Sequence, residues 1–277
     1  MFNNRVKTAV VLIPVMLMGI YLLSLPGFAL FIGVIALLGA WEWADLSGFS
    51  GVKARSLYTL IIAMFLVILY WGVREGWFTL PVLVLVSVVW WATSWLLVKF
   101  YPNKTQLWSA PGVRLAMGAL ILASMWVGFY WIRANDDSLL LITLLMVLVW
   151  GADIGAYYTG RAFGRHKLAP DVSPGKTWEG AVGGMITAAV LALVLVSLFR
   201  DTSFWQFGDY ALLVVFAATV VVTSVVGDLV ESMVKRHRGL KDSGRLLPGH
   251  GGIMDRIDSM CAAAPVFAGF LYVWPAL

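Results

Sequence analysis

The sequence predicts an all-α, polytopic integral membrane protein with about nine transmembrane helices. Of its 277 residues, 61% are hydrophobic and only 13% are charged, whereas soluble domains carry about 25% charged residues. Several of its 14 tryptophans fall near the ends of apolar runs, where amphipathic aromatic rings sit at a membrane interface. The composition excludes a soluble globular protein, and we expect one transmembrane domain over residues 1–277.

Nine apolar segments approach or exceed the length of about 20 residues that a spanning helix needs. These candidate spans cover residues 8–25, 28–46, 56–73, 79–98, 113–132, 138–159, 179–199, 210–234 and 253–274. Spans one to five form an N-terminal half, residues 1–135, and spans six to nine form a C-terminal half, residues 136–277. The longest polar connections, residues 160–178 and 235–252, both lie in the C-terminal half, where we expect the functional site.

The ends of the segments support these assignments in turn. The first span follows Arg5 and Lys7 and has no small-x-small cleavage site behind it, so we interpret it as an uncleaved helix rather than a signal peptide. The sixth contains W-G-A-D-I-G-A-Y, the seventh begins after S-P-G-K-T-W, the eighth ends in G-D-L-V-E-S-M-V-K-R, and the ninth opens on D-R-I-D. The last four spans therefore all carry charged residues.

The basic residues define the predicted orientation of the chain. With nine spans, only Arg74, Arg133 and Arg200 fall on one side of the membrane, and every other Lys and Arg falls on the opposite side. Loops rich in Lys and Arg stay in the cytoplasm. The N-terminus and both long loops are therefore predicted to be cytoplasmic.

Acidic residues at membrane depth mark candidate functional positions. An Asp, Lys or Arg at the centre of a spanning helix costs about 2.5–3.5 kcal/mol. Asp228 and Glu231 are three residues apart near the end of the eighth span, and Asp255 and Asp258 have the same spacing at the start of the ninth. This spacing places each pair on one helix face, and Ser232 shares the face of Asp228.

Two helix ends with carboxylates on the same membrane side could hold a hard cation between them. Oxygen ligands favour Mg²⁺ over zinc, and Mg²⁺ is usually bound through one or two carboxylates together with substrate phosphates. We therefore expect Asp228, Asp255 and Asp258 to be metal ligands, and a second cation in the same cluster stays open. Helix-end capping is the alternative for any single acid, and the roles of Asp153 and Glu179, like that of the Glu at the end of the eighth span, are undetermined.

The loop over residues 235–252 joins a basic cluster to the glycine-rich turn L-P-G-H-G-G. Glycine-rich turns bring backbone N–H groups close to phosphates, and helix N-termini favour anions. We therefore predict a polyphosphate site. Its expected members are Lys235, Arg236, Lys241, Gly249, His250, Gly251 and Gly252. Ordinary cytoplasmic loop charge is the alternative for some of the cations, and a purely structural turn is the alternative for His250.

The loop over residues 160–178 offers a second phosphate-binding set, Ser173, Lys176 and Thr177, before the seventh span. The sequence S-P-G-K-T is not a P-loop, because the leading glycine is missing and an all-helical chain has no βαβ unit. We expect a capped helix start with a lysine near phosphate. The sequence does not favour zinc, because no histidine has a His or Cys partner at ligand spacing.

An acid in the N-terminal half, Glu42, lies between Trp41 and Trp43 near the cytoplasmic end of the second span. Tryptophan flanks are typical of a membrane interface. We therefore expect this segment to anchor the helix at the interface, and a functional role for Glu42 is the alternative.

The stretch from Ser232 to Asp258 resembles the signature of the phosphatidate cytidylyltransferases, also called CDP-diacylglycerol synthases. The matching positions are Ser232, Lys235, Arg236, Lys241, Asp242, Gly244, Leu247, Pro248, His250, Gly251, Gly252, Asp255, Arg256 and Asp258. The likeness extends to V-W-G-A-D-I-G-A-Y, to H-K-L-A-P-D-V-S-P-G-K-T-W-E-G and to V-L-I-P-V near the N-terminus. It covers nearly the whole chain, and its most specific part lies in the second half.

The resemblance implies that phosphatidate and CTP become CDP-diacylglycerol and pyrophosphate, a step of phospholipid biosynthesis. It implies a Mg²⁺-dependent homodimer in the bacterial inner membrane, with its active site facing the cytoplasm and with no nucleic acid as partner. The expected catalytic residues are Asp228, Lys235, Arg236, Lys241, Asp242, His250, Asp255, Arg256 and Asp258. The expected substrate-binding residues are Ser173, Lys176, Thr177, Ser232, Gly249, Gly251 and Gly252.

Three other functions stay open at this stage. An ion-coupled transporter would use the intramembrane carboxylates as carriers, although no inverted repeat is visible and the polar residues gather on one side. A CTP-dependent lipid kinase would release CDP instead of pyrophosphate. A non-catalytic assembly protein would bind anionic lipid through its basic loops.

Overall fold

The computed structural model describes residues 2–198, 210–249 and 251–273. Within them the chain forms nine α-helices, one short β-hairpin and a 3₁₀ turn at Thr105–Leu107. The helices are α1 (Phe2–Tyr21), α2 (Leu25–Leu46), α3 (Val52–Arg74), α4 (Leu80–Lys99), α5 (Pro111–Arg133), α6 (Ser138–Phe163), α7 (Trp178–Leu198), α8 (Tyr210–His237) and α9 (Met254–Val273). The hairpin strands are β1 (Lys167–Ala169) and β2 (Ser173–Thr177).

Each predicted span coincides with one of these helices, so the predicted helical membrane architecture is confirmed. The eight helices from α2 to α9 are long and apolar enough to cross a membrane, whereas α1 contributes a shorter apolar stretch, Val10–Tyr21. Helices α2, α4 and α5 carry a proline in their first two positions, where its fixed φ suits the helix and no hydrogen bond is lost.

Large apolar side chains remain exposed on the outer helices. On α3, for example, the side chains of Leu60, Ile61, Met64 and Val67 are more than half exposed. A soluble protein would bury such a face, but a bilayer solvates it. The chain is therefore a multi-pass membrane protein.

Helix α9 lies at the centre of the fold, where it packs against α4, α5 and α8. Helices α6 and α7 pack closely along each other. A Cβ at Gly184 of α7 would lie 2.8 Å from the Ala152 carbonyl oxygen of α6, and one at Gly183 would collide with Thr159. Small residues therefore permit close packing of two spans, which brings the start of α7 next to the end of α6.

The hairpin is the one departure from the all-α prediction within the described residues. Strands β1 and β2 pair antiparallel, with Lys167 opposite Thr177 and Ala169 opposite Ser173. Glu179 stabilises the turn before β1, because its carboxylate accepts hydrogen bonds from the backbone N–H groups of Arg165 and His166. The hairpin is missed at the sequence level because two short strands with Pro and Gly read as loop. It places Lys176 beside α8.

Candidate active site

A buried ion-pair triad joins the end of α8 to the start of α9. The Lys235 Nζ atom lies 2.7 Å from Glu231 Oε2 and 2.6 Å from Asp255 Oδ1. The exposed fractions of the three side chains are 8%, 2% and 11%. In this arrangement Lys235, which we expected to bind a triphosphate, neutralises two carboxylates instead.

The second oxygen of Asp255 is held by the loop before α9. Asp255 Oδ2 accepts hydrogen bonds from the Ser243 N–H at 3.0 Å, the Ser243 hydroxyl at 3.0 Å and the Gly252 N–H at 2.9 Å. The Asp255 N–H donates in turn to Ser243 Oγ at 3.3 Å. Asp255 therefore fixes both the loop and the N-terminus of α9, and the Gly252 amide points to this carboxylate.

A second, more accessible ion pair links the hairpin to α8. Lys176 Nζ lies 2.8 Å from Asp228 Oδ2, and the two side chains are 25% and 31% exposed. The Ser232 hydroxyl donates to Asp228 Oδ1 at 3.0 Å. The structure thus brings together three of the predicted site residues, Lys176 from the hairpin and Asp228 and Ser232 from α8.

A cavity of about 370 Å³ opens next to this pair, between α6, α7, α8 and the hairpin. Its polar lining includes Asp153, Arg161, Lys176 and Thr177, and the rest is mostly apolar or glycine. Asp153, whose role the sequence leaves open, therefore faces the same space as Lys176. A cavity with a cationic group and apolar walls suits a molecule that carries a phosphate and a hydrocarbon chain.

The start of α7 is capped as the sequence predicts. The Gly180 N–H donates to Thr177 Oγ1 at 3.1 Å, the typical contact of a Thr before a helix. Ser173 opens β2 and is half-buried. Arg236 ties the two loops together, because its Nε donates to the Val172 carbonyl at 3.1 Å and its Nη1 donates to the Leu240 carbonyl at 3.2 Å.

The glycine-rich turn is closed on itself. Gly249 and Gly251 have φ values of 79° and 86°, a region that favours glycine. The Leu247 N–H donates to the Gly251 carbonyl at 3.0 Å, and the Thr8 hydroxyl of α1 donates to the Pro248 carbonyl at 3.0 Å. The predicted His250 lies outside the described residues.

Of the remaining predicted residues, Asp258 lies close enough to Asp228, Glu231 and Lys235 to interact with their charges. Lys241 and Asp242 are exposed on the loop between α8 and α9. Asp258 is half-buried, and its Oδ1 accepts a hydrogen bond from the Ser259 N–H at 2.6 Å. Arg256 lines a separate cavity of about 70 Å³ with Met16 of α1 and apolar side chains. Arg256 therefore does not line the larger cavity beside Lys176.

The acidic residues offer the donor chemistry of a Mg²⁺ site, because all their ligand atoms would be oxygens. In the part of the chain that the structure describes, however, no three His, Cys, Asp or Glu side chains gather into a metal-binding group. Asp228 and Asp255 are each paired with a lysine. Donor chemistry therefore fits a hard cation, and the predicted ligand set of Asp228, Asp255 and Asp258 stays a prediction.

The sequence analysis missed Glu42 as part of this region. Its side chain is 0% exposed, so the expectation that it anchors α2 at the interface is wrong. Glu42 Oε2 instead accepts a hydrogen bond from the Met254 N–H at 2.9 Å and lies 3.0 Å from the Ser243 hydroxyl, whose one proton it shares with Asp255 Oδ2. The sequence signal that could have identified Glu42 is an acid inside an apolar span, because burying a carboxyl group there is costly unless it is paired or functional.

Comparison with known proteins identifies the family. A family model described as "Cytidylyltransferase family" matches residues 3–274. The chain is 48% identical to a phosphatidate cytidylyltransferase of Pseudomonas aeruginosa over 98% of this chain and 97% of that protein. It is 39% identical to one of Haemophilus influenzae over 98% and 99% of the two chains, and 36% identical to one of Brucella suis over 91% and 85%. The resemblance found in the sequence is confirmed: the chain belongs to the cytidylyltransferase family.

Proposed function

We propose that this protein is a phosphatidate cytidylyltransferase, which transfers the cytidylyl group of CTP to phosphatidate and releases pyrophosphate. The observation that carries the proposal is the Lys176–Asp228 pair beside a cavity with largely apolar walls, where the hairpin meets the ends of α6 and α7. This geometry suits a lipid phosphate at an interface. The full-length likeness to proteins that carry this name supports the same reaction.

The chemistry requires charge neutralisation and positioning more than a strong base. A phosphatidate oxygen attacks the α-phosphorus of CTP, a new P–O bond forms, and the bond to pyrophosphate breaks. Both reactants are anions, so fixed positive charges lower the barrier by holding them in line. Lys176, which is partly exposed at the cavity, would bind the lipid phosphate, and the exposed Lys241 would bind the triphosphate.

We further propose that Mg²⁺ is held by Asp228, with Asp255 and Asp258 as the other candidate ligands. Bound Mg²⁺ offsets negative charge on phosphate oxygens. Asp228 is more exposed than Asp255, at 31% against 11%, and its partner Lys176 lines the cavity. A second cation, a homodimer, a location in the bacterial inner membrane and an active site facing the cytoplasm belong to the same proposal.

The test uses purified protein in mixed micelles with phosphatidate, Mg²⁺ and CTP labelled in either the α- or the γ-phosphate. We expect the α-label in the lipid product and the γ-label in pyrophosphate, with turnover lost on chelation and restored by Mg²⁺. A γ-label in the lipid would identify a kinase. Absence of any labelled lipid, with the protein folded, would contradict the proposed function.

A further inference from the structure

The carboxyl group of Glu42 is buried in the contact between the two halves of the chain. Glu42 belongs to α2, whereas its partners Ser243 and Met254 belong to the loop and helix of the C-terminal half. With 0% exposure, the side chain cannot reach water, so it does not act as an interface anchor. An acid at membrane depth costs about 2.5–3.5 kcal/mol. This cost indicates that the hydrogen bonds of Glu42 contribute to stability or function.

The loop is shaped around this carboxyl group. A Cβ added to Gly244 or to Gly252 would collide with the side chain of Glu42. Both glycines therefore let the backbone approach the carboxyl group closely. The Met254 N–H, which Glu42 Oε2 accepts at 2.9 Å, belongs to the first residue of α9 and has no partner within its own helix. Glu42 thus accepts a hydrogen bond from a backbone N–H at the start of α9, the helix that carries Asp255.

A single hydroxyl connects Glu42 to Asp255. Ser243 Oγ lies 3.0 Å from Glu42 Oε2 and 3.0 Å from Asp255 Oδ2. A serine hydroxyl has one proton and two lone pairs, so the Ser243 proton is shared between the two carboxylates while its oxygen accepts the Asp255 N–H at 3.3 Å. Ser243 is 2% exposed, so water does not replace any of these contacts.

We propose that Glu42 is a positioning residue, which fixes Asp255 and the N-terminus of α9 through the Ser243 hydroxyl. The inference rests on the proposed cytidylyltransferase function and adds a residue from the N-terminal half to its site. Glu42 is fully buried and does not line the cavity beside Lys176. It acts as a hydrogen-bond acceptor for Ser243 and Met254, and these contacts hold the Asp255 carboxylate against Lys235.

The first test compares Glu42→Ala with Glu42→Gln. Loss of a hydrogen-bond partner of a metal-binding carboxylate typically costs about 10–100-fold in metal affinity or activity. Because Asp255 is a proposed Mg²⁺ ligand, we expect Glu42→Ala to lower kcat by about 10–100-fold. The amide oxygen of Gln can still accept both hydrogen bonds, so Glu42→Gln should keep roughly a third or more of the wild-type kcat. If Gln loses as much as Ala, or if Ala keeps kcat within about twofold, the acceptor role is wrong.

The second test is a double-mutant cycle with Ser243→Ala. If Glu42 acts through Ser243, the double variant should lose no more kcat than the worse single variant, whereas independent residues give losses that multiply. The matched control is Ser94→Ala, because Ser94 is equally buried but bonds only the Trp90 carbonyl of its own helix. This control should leave kcat unchanged and should show additive losses with Glu42→Ala.

Folding is followed separately from activity. Cys261 is the one cysteine of the chain and is 0% exposed, so its reaction with a maleimide dye during heating reports unfolding in micelles. If Glu42→Ala is not recovered folded, the kcat of Glu42→Gln and its cycle with Ser243→Ala decide. If the wild type itself makes no CDP-lipid, the proposed function fails. The same double-mutant cycle is then measured through Tm. Non-additive Tm changes of Glu42→Ala and Ser243→Ala would support the Glu42–Ser243 link, and additive Tm changes would overturn it.

Discussion

The Lys235 triad offers the sharpest prediction for a single substitution. Changing Lys235 to Met removes the ammonium group that lies 2.7 Å from Glu231 Oε2 and 2.6 Å from Asp255 Oδ1. Both carboxylates are nearly buried, at 2% and 11% exposure, and Glu231 Oε1 has no hydrogen-bond partner among the described residues. The substitution therefore leaves two facing acids without their cation.

The expected cost follows from burial. Removing one partner of a buried ion pair costs about 3–5 kcal/mol, and each kcal/mol lowers the Tm of a chain of this size by about 2–4 °C. We therefore expect Lys235→Met to lower the Tm of Cys261 labelling by roughly 6–20 °C. Glu231→Gln together with Lys235→Met should regain at least about half of that loss, because it removes one of the two unpaired charges.

Lys176→Met provides a matched control for the Lys235 prediction. It makes the same chemical change in a pair whose side chains are 25% and 31% exposed. Exposed ion pairs contribute about 0–1 kcal/mol, so its Tm should fall by less than about 4 °C. The reasoning is refuted if both substitutions shift the Tm equally, or if Lys235→Met raises only the KM for CTP while the Tm stays unchanged.

Three further predictions concern turnover. Lys176→Met should raise the KM for phosphatidate about tenfold, the effect of losing roughly 1.4 kcal/mol of binding, with little change in the KM for CTP. Lys241→Ala should raise the KM for CTP by a similar factor, and Lys99→Ala, an exposed lysine at the end of α4, should not. Asp255→Asn should abolish turnover while Cys261 stays protected from the dye at 25 °C; near wild-type CDP-lipid formation would remove Asp255 from the site.

The spans could be predicted from the sequence because membrane insertion imposes one dominant constraint. About 20 consecutive apolar residues must form a helix to satisfy their backbone groups, so the eight long apolar helices α2 to α9 follow from hydropathy alone. The contact between Asp228 and Ser232 within α8 also follows, since the two residues are one helical turn apart and form the hydrogen bond that this spacing allows. Local spacing therefore predicts local geometry well.

Contacts between distant segments were not predictable in the same way. The sequence places Lys235 in a basic loop, where binding of a substrate phosphate is the natural reading. Only the packing of α8 against α9 shows that its side chain turns inward, to Glu231 and Asp255. Glu42 was missed for the same reason, because its partners lie about two hundred residues further along the chain.

The two lysine–aspartate pairs differ in the property that decides whether an ion pair can be exchanged. The side chains of Lys235 and Asp255 are nearly buried, and three further groups lie within donor distance of Asp255 Oδ2. Lys176 and Asp228 are about a quarter to a third exposed beside the cavity. Separating the first pair leaves buried charges unpaired, whereas water or an incoming phosphate can solvate the second. We therefore infer that the Lys235–Asp255 pair maintains the shape of the site, and that the Lys176–Asp228 pair is where substrate first exchanges contacts with the protein.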